Sequence, residues 1–235
     1  MNLTLAIGLW RQRLASPVRV VILGLLAVLP PTLMALVPGM GLAALSNGYP
    51  IAMVFAVGMI GQDVSSGVLQ LVLARPVTRS EYVFSRWLAA GLGASAVSLA
   101  QVGLGWALVA IRHSPPDPRA MLLFAAGREF EIFGVVAVMA LLSSLMGGLG
   151  DLALYVVLNV VGGIMSMVGQ FQHVAAVSWL GQELGALLSP HVELAQIVAG
   201  TPSWSALAAY ASNLTLCLLV AVLVMNRKEL SYASG

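Results

Sequence analysis

Apolar residues run through this chain in blocks of about 20, the number needed to cross a hydrocarbon layer about 30 Å thick as a helix. The polar positions gather in the gaps between the blocks. Six blocks are predicted as spans: residues 18–37, 43–62, 85–111, 132–149, 152–168 and 204–225. Ahead of them, residues 1–16 (MNLTLAIGLWRQRLAS) place Leu3, Ile7, Trp10 and Leu14 at helical spacing, with Arg11, Gln12 and Arg13 grouped at the polar end. This pattern predicts an amphipathic helix lying in the membrane interface. A signal peptide puts its charges first and a short apolar run after them; here the order is reversed.

The interruptions inside the blocks carry as much information as the blocks. Pro30 and Pro31 predict a kink in the first span, where a backbone donor is missing and the ring crowds the preceding turn. The break Ser46 to Pro50 (SNGYP) either starts a short second helix after Tyr49 or bends a longer one, and we expect the bent helix. Small residues in the third span (Ala90, Gly91, Gly93, Ala94, Ser95) permit close helix approach in lipid. RHSPPDPR, Arg112 to Arg119, reads as a turn. Arg128, Glu129 and Glu131 near mid-bilayer cost roughly 8 kcal/mol on an insertion scale, so the fourth span is expected to begin near Ile132, with Ala120 to Glu131 at the surface. GGLGD, Gly147 to Asp151, is a tight connection. Residues 170–202, broken by Gln172, His173, Gln182, Glu183, Pro190, His191 and Glu193, are too polar to cross lipid and too apolar for a free loop; re-entrant or surface helices are expected before the sixth span.

Composition agrees with this reading. Of 235 residues, 60% are hydrophobic and 9% charged, against about 25% charged in a soluble domain; the mean hydropathy is +0.96. The expected fold is therefore an all-α integral membrane protein forming a single transmembrane domain over residues 1–235. A net charge of +2 is too small to point to nucleic acid, and Cys217 stands alone inside an apolar run. With both termini inside, the inner segments hold Arg11, Arg13, Arg19, Arg75, Arg79, Arg86, Arg227 and Lys228, and the outer ones hold Arg112, Arg119 and Arg128. The positive-inside rule then places both ends, and the segment 63–84, in the cytoplasm.

That segment is the chain's most charged loop. Asp63, Ser65 and Ser66 are good helix-start residues, and the apolar run Val68 to Arg75 is stopped by Pro76, which predicts a stubby helix along the membrane surface. Thr78 and Glu81 stand at capping-box spacing, so the third span is expected to begin before the membrane. A short helix joined to two spans is a lever for another protein to push; it is equally a positively charged loop with two ordinary caps.

The residues Asp63, Ser66, Gly67, Leu69, Leu71, Leu73, Arg75, Pro76, Arg79, Glu81, Tyr82 and Arg86 together resemble the cytoplasmic loop of ATP-binding-cassette (ABC) transporter permeases of the type-2 export architecture. Many members carry glutamate where Asp63 stands and lysine where Arg86 stands; both exchanges keep the charge. The resemblance implies a bacterial inner-membrane permease that pairs with a second copy of itself or a homologous permease. It also implies that this loop is a coupling helix gripping a separate nucleotide-binding subunit, with ATP and Mg in that subunit and no cofactor in this chain. The sequence independently supports such a partner: its one lysine, Lys228, follows no glycine run, so a Walker A phosphate loop is absent. The expected activity is outward movement of a hydrophobic or amphipathic solute, with Gln101, Asn159, Met165 and Met167 as candidate pathway lining.

A secondary transporter or channel places ionisable groups inside its spans, and the predicted span interiors hold none, which favours an external energy source. A membrane component for cofactor or copper-enzyme maturation, or for mechanical signalling, is a further alternative. His113, His173 and His191 with Met165 and Met167 are too scattered to make a metal site. Met139, Met146, Met165 and Met167 read as packing residues. Ser203, Glu183 and His191 lack a nucleophile elbow.

Overall fold

In a computed structural model, residues 3–37, 41–45, 48–74, 76–112, 117–192, 194–198 and 204–228 are described, and every regular element among them is helical. Arg75, His113 and Ser203 lie outside them, as do Ser46 and Asn47 of the SNGYP break.

The helices follow the apolar blocks where local signals are strong. α1 (Leu3–Leu14) forms where the N-terminal helix is expected, but with Arg13 of its expected polar end buried and Ile7 and Leu14 exposed. α2 (Pro17–Leu36) opens on a proline at its first position, where the missing donor costs nothing. α6 (Arg79–Arg112) is about 50 Å long at 1.5 Å per residue. α8 (Gly150–Phe171) and α11 (Trp204–Arg227) complete a set of four, with α2 and α6, that are long and apolar enough to cross a membrane. α6 is the central post of the bundle, packed by α1, α2, α11, by α3 (Tyr49–Ala56) and by α7 (Pro118–Leu145). Gly91 and Gly93 make part of this possible: a Cβ on Gly91 would come within 2.4 Å of the Phe133 ring, and one on Gly93 within 2.7 Å of Phe55.

Two expected spans take another form. The block 43–62 is not one bent helix. A 3-10 turn (Gly41–Ala44) precedes α3, which begins at Tyr49 and stops at Ala56; after a break at 57–60 comes α4 (Gly61–Ser65). At about 12 Å, α3 is too short to cross lipid alone. The break is set by Gly58 at φ +67°, a left-handed conformation that ends helices. The second difference is α7, a continuous helix from Pro118, so Ala120 to Glu131 are not a separate surface segment. Asp117 caps its start, its carboxylate accepting from Arg119 N at 3.0 Å, and the Arg128 side chain is met by tertiary partners that a linear hydropathy reading leaves out.

Residues 170–202 form α9 (Ala175–Leu188), returning antiparallel against α8, and the short α10 (Leu194–Val198). The seam is made of small residues, and a Cβ on Gly169 would fall 2.2 Å from Ser178 N and one on Gly181 2.4 Å from Ser166 N. The backbones therefore touch with no side chain between them. Gly181→Val is expected to lower stability by about 1 to 3 kcal/mol or more through overpacking. Gly163→Ala, which meets open space, should change it little; thermal unfolding in detergent checks the contrast.

Candidate functional site: the junction of α4, α5 and α6

The loop 63–84 folds as a short helix held between two locks. α5 (Val68–Leu73) follows Gly67, whose φ of +75° lets the chain leave α4 and start again at once. Ser65 and Ser66 do not start α5 as expected. Their hydroxyls fold back onto the Gln62 carbonyl, at 3.1 and 2.6 Å, because Ser65 lies in the last turn of α4 and Ser66 closes it. Asp63 lies inside α4. On a helix the alternating leucines separate, Leu69 and Leu73 to one face and Leu71 to the other. Leu69 is buried, while Leu71 is 72% exposed.

The first lock is an ion pair. Asp63 Oδ2 accepts from Arg86 Nη2 and, at 2.6 Å, from the Tyr82 hydroxyl, and the Arg86 guanidinium lies over the Tyr82 ring. All three residues are buried. Tyr82 and Arg86 are one helical turn apart on α6, so one carboxylate from α4 spans both. A buried charge survives only when paired and hydrogen-bonded. Arg13 of α1, 1% exposed, reaches Gln62 Oε1 at 3.4 Å. Burial and the nearby Arg19 and Arg86 push its guanidinium down to about 9, against an opposing pull from Asp63 and Asp151.

Backbone groups at the α3–α4 break form the second part of the junction. Gly58 N donates to Asp151 Oδ2 at 2.6 Å; Ile60 N and Gly61 N both donate to Ser143 Oγ, at 3.1 and 2.9 Å. Gly148 N closes the ring onto the Gly61 carbonyl at 2.9 Å. Asp151 and Ser143 were not singled out from sequence. Their one linear signal is the Gly-rich turn before Asp151, which reads as an ordinary connection.

At the far end of the loop, the capping box forms as expected: Glu81 N donates to Thr78 Oγ1 at 3.2 Å and Thr78 N to Glu81 Oε2 at 3.1 Å. Arg79 turns away from the loop surface, its Nη1 reaching the carbonyls of Met225, Asn226 and Lys228 at 2.6–3.0 Å. These are last-turn carbonyls without intrahelical donors, which a cation satisfies well. Ser66, Pro76, Thr78 and Glu81 are exposed, and Gly67 is half-buried.

The candidate lining residues are dispersed. Pro30 leaves the Leu26 carbonyl without its helical donor, and Gln101 Nε2 donates to that oxygen at 2.5 Å, while Gln101 Oε1 accepts from Arg128 Nη2. Asn159, Met165 and Met167 sit on α8; Asn159 Nδ2 donates to Tyr155 O at 2.9 Å, and Met167 is exposed. Met139 is buried and Met146 exposed. Among the described residues no three His, Cys, Asp or Glu side chains converge. No protein family, no characterised protein and no solved structure matches this chain.

Arg86→Leu strands Asp63 in the bundle and is expected to cost about 3 to 5 kcal/mol. Adding Asp63→Leu should recover part of that loss, which a double-mutant cycle of unfolding in detergent measures.

Proposed function

We propose that this chain is the membrane subunit of an ATP-driven exporter of the ABC type-2 permease kind, working with a separate nucleotide-binding subunit and a second permease. In this reading the broken α3–α4 segment and α7 join α2, α6, α8 and α11 as six crossings of a bacterial inner membrane. Both chain ends and α5 then face the cytoplasm, as the arginine placement favours. The observation that carries the proposal is α5: a short helix that buries Leu69, exposes Leu71 and directly follows α4, which is tied to α6 through Asp63 and Arg86. An exposed leucine on a fixed helix is a foothold for a partner, and the lock gives a push there a path into the bundle. ATP and Mg belong to the partner, and the cargo is a hydrophobic or amphipathic solute.

Arg128 supplies the one observation for a second reading. It is buried on α7 against Gln101 of α6, which removes the argument that the helices hold no internal charge. An ion-coupled carrier or channel uses such a group, and flux through the chain alone in vesicles, without ATP, identifies it.

Purification from the native host in mild detergent is expected to bring a Walker-A protein with the chain. Leu71→Glu, at a position facing away from the core, should abolish that association without changing yield. Absence of any such protein, together with no effect of ATP on the chain's conformation in membranes, overturns the reading.

A further inference from the structure

Arg128 of α7 lines a cleft of about 950 Å³ between α7, α9 and the turn that follows α9. We infer that this cleft binds an amphipathic anion, its carboxylate or phosphate head on Arg128 and its apolar body along Leu123, Phe124 and Val192.

The argument begins with unmet donors. Arg128 is 4% exposed, its Nη2 is spent on Gln101, and its Nε and Nη1 are buried without a partner. Buried guanidinium donors left empty are costly, and the chemistry that answers them best is a charged acceptor. The neighbouring carboxylate, Glu131, also stands in the cleft wall but leaves these donors without a hydrogen bond; its Oε2 accepts from Gly48 N at 2.8 Å. Glu129 Oε1 is also buried without a partner, but Glu129 is not among the residues of the cleft walls. Phe124 lies over the guanidinium, 5.6 Å from ring centroid to Cζ, and is itself part of the cleft wall. The walls around that point are largely apolar, and the volume lies within the range of pockets for small organic ligands. His191, Gln182 and Ser189 add polar groups to the same cleft. A charged anchor in an apolar slot selects a molecule that is itself divided in this way.

The inference does not rest on the exporter reading, because binding needs neither ATP nor a partner. The full-length chain in phosphatidylcholine nanodiscs is titrated with palmitate and with uncharged hexadecanol. Palmitate is expected to bind about tenfold or more tightly, as a charged hydrogen bond implies. Arg128→Gln should bring palmitate to the level of hexadecanol, and Arg128→Lys should restore part of the preference. Native mass spectrometry with phosphatidylglycerol distinguishes two sources of the head group: retention of that lipid against excess palmitate identifies a membrane lipid, and its displacement identifies a free amphiphile, either result supporting the site. Equal binding of palmitate and hexadecanol, or an unchanged preference in Arg128→Gln, overturns it. Leu123→Trp places a bulky ring where the apolar body is inferred to lie while leaving the polar cluster untouched, so undiminished palmitate binding in that variant overturns the proposal even if Arg128→Gln does not fold.

Discussion

A broken helix inside an apolar bundle has backbone donors that must be met from somewhere, and much of this structure is arranged around meeting them. In hydrocarbon an unpaired N–H costs several kcal/mol. The break after α3 exposes the amides of Gly58, Ile60 and Gly61, which are taken up by Asp151 and Ser143. Gly61 has no alternative side chain here, because a Cβ would stand 2.6 Å from the Met146 carbonyl. Repairing one discontinuity thus fixes α7, the turn after it and the first turn of α8 against the same point. It also fixes where α4 begins, and so brings Asp63 beneath Tyr82 and Arg86.

The same logic operates a second time, around α2. Pro30 deprives the Leu26 carbonyl of its donor, Gln101 replaces it, and the other end of the Gln101 amide accepts from Arg128. One side chain therefore repairs a helix and shelters a charge. The two regions differ in completeness. At the α4–α6 lock an acid and a base meet directly; around Arg128 the cation has a neutral amide and an aromatic face but no carboxylate in contact among the described residues.

What was legible in the sequence was local. The capping box of Thr78 and Glu81 is three residues wide, and the apolar run of α5 is stopped by Pro76; both can be read by eye, as can the apolar runs of α2, α8 and α11. Features that depend on distant residues were hidden. The loop resemblance brings Asp63, Tyr82 and Arg86 into one motif, but no spacing announces that they touch, and nothing near Ser143 announces the amides at the break, more than eighty positions away. Hydropathy charged Arg128 as though lipid surrounded it, and so did not foresee one unbroken helix running through that position with the side chain buried. Conversely, Gly58 and Gly67 look alike in sequence to the many glycines that ease packing; only their positive φ angles separate them.

The hairpin of α8 and α9 has a consequence for how the chain is made. With 14 residues, α9 is about 21 Å long and cannot span a bilayer about 30 Å thick. Inserted by itself, it would leave its ends without protein around them. Its glycine seam is shaped to α8, which is synthesised immediately before it, so the partner that α9 packs on is already present in the growing chain when α9 is made.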